Sequence, residues 1–407
     1  MTHGELSPVP LRGGGILTPS PELPDLRRAA PVVRVRTPAG DAAWLVTRYD
    51  AARALWGDPR LGTSHPTPRS AARVSDSGVF SGPFGNYETE RADHAVMRAL
   101  IAPSFGARRI ARLETFVAGL VDTLVETMQA EHGRTGGPVD LHAHLSVPLP
   151  LRVIAALLGV PDEEHPTFRA LTDRALGLRG EDPKQAMAQM RRYCTELAER
   201  KRAEPGEDVV SDLVAAQREQ PSLPDTMIAE ICAMLLMAGH ETVVARIDLG
   251  VLLLARRPDV VAALAAAPQD EAVVSGVVEE VLRRTMVGGT GFPRYAHEDI
   301  VVGEGDDAVS ISAGDCVLLN IGAANHDGSA FADPDVFDPA RPRVPHLSFG
   351  RGPHACVGAT LARIEMRRVF TTLAARLPGL QPAVAVEDLP VHTDRFTGGL
   401  AGLPVTW

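Results

Sequence analysis

The sequence predicts a mainly α-helical fold with small β-sheets, and three observations lead to this fold class. Apolar residues make up 45% of the 407 positions and charged residues 23%, which is typical of a soluble globular protein. Aromatic residues are only 4%, while alanine, leucine, arginine and glutamate are abundant, and this usage favours helix over sheet. Helical periodicity recurs along most of the chain and is interrupted at many points by 33 prolines and 37 glycines.

The first part of the chain begins with β-structure. Two apolar runs at 32–36 and 43–47 flank a turn at 38–41, which predicts a β-hairpin. A short helix at 50–56 precedes a stretch from 60 to 86 that is rich in small and polar residues and has no clear period. We expect a long loop there, and loops of that length are often functional. Helical patterns then occur at about 92–102, 107–131, 142–159, 163–177 and 183–203.

A long helical pattern from about 224 to 257 dominates the second part and would span on the order of 50 Å. Helices are expected at about 258–267 and 270–285, and a final one from about 356 to 376. Shorter patterns between them predict strands near 294–296, 309–311 and 316–321, and a coil rich in proline and aspartate at 331–345.

The composition also limits the class of function. The net charge of −10 argues against general nucleic-acid binding. The four cysteines form no C-x-x-C pair, which argues against a disulfide framework or a structural zinc site and fits a reducing cytoplasm. No signal peptide and no unbroken apolar run of about 20 residues is visible, so no membrane span is predicted. We expect one monomeric, cytoplasmic domain over residues 1–407, with 1–16 as a flexible tail.

Cys356 has the sequence context of an activated thiol. It follows a loop that contains Gly350 and Gly352, and it precedes a helix-forming run. The helix dipole and nearby backbone N–H groups both favour a thiolate in such a position. A thiolate of this kind is a metal ligand or a nucleophile, and the loop alone leaves both interpretations open.

The long apolar helix contains a polar motif, Ala238-Gly-His-Glu-Thr242. Burying the acid of Glu241 and the hydroxyl of Thr242 costs free energy unless both find partners. One interpretation is a satisfied polar pocket, or a hydrogen bond from Thr242 back to the carbonyl of Ala238. The other interpretation is a functional acid and hydroxyl pair in the middle of the helix.

Two further helical patterns carry charged pairs on one face. Glu280 and Arg283 are three residues apart, and His94 and Arg98 are four apart. Taken alone, each pair is more typical of a solvated helix surface, where such a pair contributes roughly a few tenths of a kcal/mol.

The segment around Cys356 resembles the haem-binding loop of the cytochrome P-450 family, Phe-Gly-x-Gly-x-His-x-Cys-x-Gly. The fixed positions match at Phe349, Gly350, Gly352, His354, Cys356 and Gly358. The resemblance implies a single cytochrome P-450-type domain of about a dozen helices with small β-sheets. It also implies that Cys356 is the axial ligand of the iron in haem b (iron protoporphyrin IX), where a thiolate favours O–O cleavage. Phe349 would bind the same cofactor.

The polar motif in the long helix is similar to the family's Ala-Gly-x-Asp/Glu-Thr element. The resemblance implies that Gly239 lets the backbone approach the porphyrin closely. It further implies that Thr242 hydrogen-bonds the dioxygen bound to the iron and that Glu241 helps to relay protons to the distal oxygen. Val243 departs from the family, in which threonine or serine often follows the motif's threonine.

The pair Glu280-x-x-Arg283 resembles the family's Glu-x-x-Arg motif, and Arg341 in the proline-rich coil matches its third member. The implied role is structural: a buried charge triad fixes the coil that supports the cysteine loop, and losing one member leaves an unpaired buried charge. The segment Ala324-Asn-His-Asp327 resembles an Ala-Asn-Arg-Asp element, with His326 in place of the arginine. The sequence gives no functional interpretation of that change.

Four side chains match family positions that bind the haem propionates. They are His94 and Arg98 in a His-x-x-x-Arg helix, Arg294 in Phe292-Pro-Arg-Tyr-Ala296, and His354 in the cysteine loop. Two propionates at a buried edge need charge-assisted hydrogen bonds, and a neutral imidazole can still donate one.

The resemblance implies a monooxygenase that takes O2 and two electrons from a ferredoxin and ferredoxin reductase. It would hydroxylate or epoxidise a hydrophobic or amphipathic small molecule in bacterial secondary-metabolite or antibiotic biosynthesis. Alternatives are oxidative C–C or C–O coupling, a haem-binding or sensor protein without oxygenation, and a hydrolase with Cys356 as nucleophile. The Glu241–Thr242 pair argues against a sensor, and a hydrolase does not explain the Glu280-x-x-Arg283 motif.

The substrate would lie over the haem, between mostly apolar walls. These walls are expected from the segments 60–90, 165–185, 234–242 and 286–292, and from the turn near Phe396. A set of arginines has two interpretations, a solvated surface or a docking patch for an acidic electron donor. They are Arg351, Arg363, Arg367, Arg368, Arg108, Arg109 and Arg112.

Overall fold

The computed structural model describes residues 6–10, 15–75, 81–177, 182–285, 291–342, 344–393, 395 and 398–407. Within these ranges the chain forms thirteen α-helices and ten short β-strands, which confirms the mainly α-helical fold class. The chain divides into two compact units. The first contains Met1–Asp93 and Glu279–Cys356, and the second contains His94–Gly177, Asp182–Val278 and Val357–Trp407.

The helices are α1 (Leu23–Ala29), α2 (Tyr49–Leu55), α3 (Glu90–Ile101), α4 (Ala107–Thr135), α5 (Pro148–Leu158), α6 (His165–Ala175), α7 (Asp182–Ala203), α8 (Val209–Glu219), α9 (Asp225–Ala255), α10 (Pro258–Ala266), α11 (Glu271–Arg284), α12 (Ile321–Asn325) and α13 (Ala359–Arg376). The strands are β1 (Val32–Arg36), β2 (Ala42–Val46), β3 (Leu61–Gly62), β4 (Val139–Asp140), β5 (Phe292–Ala296), β6 (Ile300–Val302), β7 (Val309–Ile311), β8 (Cys316–Leu319), β9 (Gln381–Pro382) and β10 (Pro404–Thr406).

The first unit is built on a sheet with the strand order β1-β2-β8-β5-β3, and β6 and β7 form a separate antiparallel pair. The predicted hairpin of β1 and β2 is confirmed, and β2 pairs with β8 in parallel. All four residues of β8 are buried because both faces of the sheet are covered. Val317 and Leu319 pack into one apolar cluster and Leu318 into another, as the alternation of a strand requires.

The second unit is organised around α9, which packs against α5, α7 and α13. By length and composition alone, α9 could cross a membrane, but 67% of its apolar stretch is buried within the protein. A helix that is apolar on all sides is expected in the core of a large protein. A second small sheet, in the order β4-β10-β9, joins the end of the chain to the segment before α5.

Most predicted elements are present, and the differences have local causes. The predicted helix at 142–159 is divided: a π-helical turn, His142–Ser146, precedes α5, which begins at Pro148. Proline is well accommodated at a helix start but lacks the N–H that an uninterrupted helix would need. The last helix begins at Ala359 rather than at Cys356. The prediction omitted α1, α8 and α12 and the strands β3, β4, β6, β9 and β10, and β3 lies in the segment that was predicted to be a loop.

Some expectations fall where the structure gives no description. The flexible tail at 1–16 and the loop at 60–90 are only partly described. Residues 178–181 and 286–290 of the substrate walls lie outside the described residues, and so does Phe396.

Candidate active site

The loop before Cys356 folds tightly against the end of α2. Gly350 and Gly352 have φ angles of 64° and 71°, in the left-handed region that favours glycine. A Cβ at Gly350 would lie 3.3 Å from Cζ3 of Trp56, and one at Gly352 would lie 3.1 Å from Cα of Gly57. The two glycines are therefore needed for both backbone conformation and space.

The thiol of Cys356 lies on the exposed side of this loop. The backbone N–H of Cys356 donates to the carbonyl of Phe349 at 2.8 Å, which closes the loop. The Cys356 side chain is exposed, whereas Cys194, Cys232 and Cys316 are buried. Burial raises the pKa of Cys194 and of Cys316 to about 12, so these two thiols stay protonated at neutral pH.

In the middle of α9, one narrow strip is open, although the helix is otherwise buried from Ile231 to Leu254. Ala238 is exposed, and Met234, Gly239 and Thr242 are partly exposed, at spacings that place them on one face. The Thr242 hydroxyl donates to the carbonyl of Ala238 at 2.8 Å, so the back-bonding interpretation describes the hydrogen bond that forms. Because the hydroxyl proton is used in this hydrogen bond, the Thr242 oxygen can only accept a further hydrogen bond, on the open side of the helix.

Gly239 packs closely against α5 within the second unit. A Cβ at this position would lie 2.9 Å from Cδ1 of Ile154 in α5, closer than real Cβ contacts. The close approach that the structure explains is therefore to α5, and approach of Gly239 to a porphyrin stays a prediction.

Glu241 is buried next to the open strip. Its Oε1 is 3.3 Å from Nη1 of Arg395 and 3.7 Å from Nδ1 of His240. Arg395 also contacts Asp173 of α6, at 3.4 Å. Arg395 could not be predicted from the sequence, because its partners lie in distant segments of the chain.

The predicted charge triad is assembled in the first unit. Arg283 donates to both oxygens of Glu280 at 2.8 Å, and Nε of Arg341 lies 3.4 Å from Glu280 Oε1. Both members of the first pair are nearly inaccessible to solvent. The backbone N–H of Asp338 also donates to Glu280, at 3.0 Å, which attaches the proline-rich coil directly to α11.

His326 has a partner that the sequence did not indicate. Arg284 Nη1 lies 2.6 Å from His326 Nε2, and His326 Nδ1 lies 2.9 Å from the carbonyl of Gly322. Because arginine can only donate, Nε2 is the acceptor and Nδ1 carries the proton. Burial, together with Arg284, lowers the pKa of His326 to about 3, so the imidazole is neutral.

The four candidate propionate ligands fall into two groups. Arg294 and His354 lie in the first unit, and His94 and Arg98 lie half-buried on α3 in the second unit. The Arg294 guanidinium stacks over the Trp56 ring at 5.3 Å and donates to the carbonyl of Pro293. Among the described residues it forms no ion pair, although burial lowers its pKa only to about 10 and it remains a cation. That all four side chains bind one cofactor stays a prediction.

Glu90 is a further polar anchor that sequence reasoning missed. Its carboxylate accepts backbone hydrogen bonds from Thr63 at 2.6 Å and Ser64 at 2.9 Å, and their hydroxyls donate as well. Burial raises its pKa, but these hydrogen bonds outweigh burial and keep the pKa below its ordinary value. These hydrogen bonds attach the start of α3 to the residues that directly follow β3.

Several of the candidate docking arginines are neutralised locally. Ion pairs inside the second unit include those of Arg109 with Asp212, Arg112 with Glu207, Arg367 with Glu271, and Arg368 with Asp122. Local carboxylates thus reduce the positive field that a docking patch would offer, and a docking role stays a prediction.

Comparison with known proteins identifies the family. A family model for cytochrome P-450 matches residues 167–377. Pentalenolactone synthase from Streptomyces exfoliatus is 41% identical over 99% of this chain and 100% of that protein. Mycinamicin IV hydroxylase/epoxidase from Micromonospora griseorubida is 35% identical over 100% of both chains. The solved structure of a pimaricin epoxidase has a TM-score of 0.86 and 39% identity, and covers 99% of this chain and 100% of that one.

The chain therefore belongs to the cytochrome P-450 family, and it is a cytochrome P-450 monooxygenase. The family uses a haem iron, O2, redox partners and a small-molecule substrate. The described residues fit a haem: Cys356 offers an exposed thiol, and Arg294 is a buried cation that forms no ion pair at contact distance among them. The open strip on α9 adds a polar group, Thr242, to an otherwise apolar surface.

Proposed function

We propose that this chain binds haem b through the thiolate of Cys356 and oxygenates a hydrophobic or amphipathic small molecule. Electrons would come from a ferredoxin and its reductase, and the reaction would be a hydroxylation or an epoxidation. The observation that carries the proposal is the open strip on α9, where Thr242 is partly exposed within the stretch from Ile231 to Leu254 that is otherwise buried. A partly exposed hydroxyl beside small apolar residues in the middle of a core helix suits a polar contact with a ligand that lies against the strip.

When bound, the haem would supply O2 activation and the transfer of one oxygen atom to the substrate. The chain's own residues would manage protons. The Thr242 hydroxyl donates its own proton to the carbonyl of Ala238. Its oxygen would therefore accept a hydrogen bond from a ligand group at the open strip and orient that group. Glu241, the residue that precedes Thr242 in α9, would take up a proton at a carboxylate oxygen and release it toward Thr242.

The remaining site residues would bind and orient. Arg294 and His354, with His94 and Arg98, would hold the propionates through charge-assisted hydrogen bonds. Glu280, Arg283 and Arg341 would fix the coil before the cysteine loop. Gly239 and Phe349 would contact the porphyrin.

The relatives support the substrate class. The names of three of them refer to pentalenolactone, mycinamicin IV and the polyene macrolide pimaricin. We propose a substrate of the same broad kind, a mostly apolar bacterial secondary metabolite. We further propose that the chain acts in the cytoplasm as a monomer and that residues 1–407 form one domain.

Oxidative bond formation is a second candidate. A solved structure titled a putative thioether synthase, involved in tailoring griseoviridin, has a TM-score of 0.88 and 31% identity to this chain. Coupling and oxygenation place the same demands on Cys356, so product analysis must distinguish them.

The carbon monoxide difference spectrum of the reduced, purified protein tests the proposal. Thiolate-ligated haem gives a red-shifted Soret band, and we expect that band. A histidine-type band, or protein that binds no haem, would contradict the proposal. Compounds that shift the haem spin state can then be screened as substrates.

A further inference from the structure

A cavity of about 780 Å³ lies at the surface of the second unit. Among the described residues, its walls come from α4, α5, α6 and the short turn Asp162–Glu164 that precedes α6. All of these elements belong to the second unit, and the open strip on α9 takes no part in the described walls. A volume of this size lies within the roughly 300–1,000 Å³ of small-molecule pockets. The cavity is therefore a candidate binding site separate from the open strip.

The walls of the cavity are mostly apolar. Phe116 in α4 is 42% exposed, although further apolar residues surround the same cavity. These are Leu120, Pro148, Leu151, Pro166 and Ala170. Contiguous apolar surface that stays open to water often marks a ligand-binding groove. The body of a ligand that fits this cavity is therefore apolar.

Two arginines on the walls have charges that the protein itself satisfies poorly. Arg152 of α5 is exposed, and its side chain forms no hydrogen bond or ion pair within the part of the chain that the structure describes. Nε of Arg169 in α6 lies 3.8 Å from Oδ2 of Asp173, which is longer than a hydrogen bond. A guanidinium can donate two parallel hydrogen bonds to one carboxylate. Both arginines are therefore available to an anionic ligand.

The acids on the described walls compensate these arginines only in part. Asp173 contacts Arg395 at 3.4 Å, closer than its 3.8 Å contact with Arg169, and Arg395 does not line the cavity. Asp162 lies 3.6 Å from His165, and its side chain is 99% exposed, so water solvates its charge. The two arginines therefore give the cavity a positive potential, which favours an anion over a cation.

We propose that this cavity is a second binding site, which takes a small amphipathic anion: a carboxylic acid with an apolar body. Arg152 and Arg169 bind the carboxylate, and the apolar body packs against Phe116, Leu151 and the other apolar walls. This ligand is additional to the compound that is oxygenated. Its binding depends neither on Thr242 nor on the haem iron, so the inference goes beyond the proposed function.

The test is a calorimetric titration of the ferric holoenzyme with decanoate, paired with the same titration followed in the Soret band. Calorimetry detects binding anywhere on the protein, whereas the Soret band reports binding next to the iron. We expect decanoate to bind at a site that leaves the Soret band unchanged. Decan-1-ol has the same chain without the charge and should bind there about tenfold more weakly. Decyltrimethylammonium, which carries the opposite charge, should bind more weakly still.

Variants of the walls separate the two parts of the site. Arg152→Gln/Arg169→Gln should weaken the binding of decanoate about tenfold, to the level of decan-1-ol, and should leave the binding of decan-1-ol unchanged. Ala170→Trp keeps both charges but fills the cavity, so it should weaken the binding of both compounds. Arg192→Gln is the matched control, because Arg192 is also an exposed arginine of the second unit but lies on α7, outside the cavity. Its affinity for decanoate should equal that of the unmodified enzyme.

The inference is overturned if decanoate binds Arg152→Gln/Arg169→Gln as tightly as the unmodified enzyme, or if decyltrimethylammonium binds as tightly as decanoate. It is also overturned if calorimetry detects no binding of decanoate beyond the binding that shifts the Soret band. None of these results bears on the proposed function, which the carbon monoxide difference spectrum of the unmodified enzyme tests separately.

Discussion

Glu280 and Glu241 are both buried acids paired with an arginine, but their surroundings differ. Glu280 receives two hydrogen bonds of 2.8 Å from Arg283, and a backbone N–H and a second arginine add to them. The contact of Glu241 with Arg395 is longer, at 3.3 Å, and Arg395 also contacts Asp173. A carboxylate saturated with donors is fixed as an anion and suits a structural brace. A buried carboxylate whose ion pair is longer and shared with another acid binds a proton more readily, which suits proton transfer.

The largest expected effect is on the brace. Glu280→Gln leaves the buried Arg283 without its counter-charge, and we expect the free energy of unfolding to fall by about 3–5 kcal/mol in denaturant titrations. The neighbouring Glu279→Gln is the matched control, because Glu279 is half-buried and contacts His346 at 3.0 Å. That variant should lose less than about 1 kcal/mol. Equal losses of stability in Glu280→Gln and Glu279→Gln would show that the additional hydrogen bonds and the burial of Glu280 do not contribute to stability.

Asp248 is a third buried acid, and its contribution to the free energy of unfolding should depend on pH. Burial raises its pKa, and although burial lowers the pKa of His142, the 2.7 Å hydrogen bond to Asp248 outweighs this and raises it. A group whose pKa is raised on folding stabilises the fold below its unfolded pKa and loses that effect as pH rises. Asp248→Asn should therefore cost about 2 kcal/mol near pH 6 and less near pH 8.5. A cost that grows with pH would contradict the assignment.

Thr242 tests the functional side of the comparison. Thr242→Ala removes the acceptor on the open strip of α9, and we expect about tenfold less product per reductant consumed. Thr242→Ser keeps the hydroxyl and should retain most of the coupling. The measurement uses a substrate from the spin-state screen. Unchanged coupling in Thr242→Ala would exclude a role for the hydroxyl in proton delivery.

The smallest effect is expected at the surface. Arg367 pairs with Glu271, and the two side chains are 37% and 64% exposed. Arg367→Gln should change the free energy of unfolding by less than about 1 kcal/mol, and less still at high salt. A loss as large as that of Glu280→Gln would show that burial is not what separates the two pairs.

The sequence predicted the long elements of the fold well, because their periodic patterns extend over many turns. The helices α4, α7 and α9 and the β1–β2 hairpin lie close to their expected positions. Strands of two or three residues carry no measurable period, so pattern alone could not find them. The helix α8 had a usable signal: Asp208 caps it by accepting a hydrogen bond from the N–H of Ser211.

Motifs indicated the partners of Glu280, Arg283 and Arg341, but they did not indicate partners that lie outside the motifs. Spacing was enough to indicate Cys356, Thr242 and Glu280, because each lies in a short local pattern. Arg395 follows Glu241 by 154 residues, so only the folded chain reveals their contact. The contact between Arg284 and His326 is likewise a long-range one, and it supplies an interpretation of the histidine that the motif comparison lacked.

The most direct test of the central claim is the carbon monoxide difference spectrum of Cys356→Ser, compared with that of Cys316→Ser. Cys316 is buried in β8 and serves as the matched control. We predict that Cys356→Ser loses the red-shifted Soret band and all oxygenation, while Cys316→Ser keeps both. A red-shifted band that survives in Cys356→Ser would show that another residue ligates the iron, and the account given for the cysteine loop would be wrong.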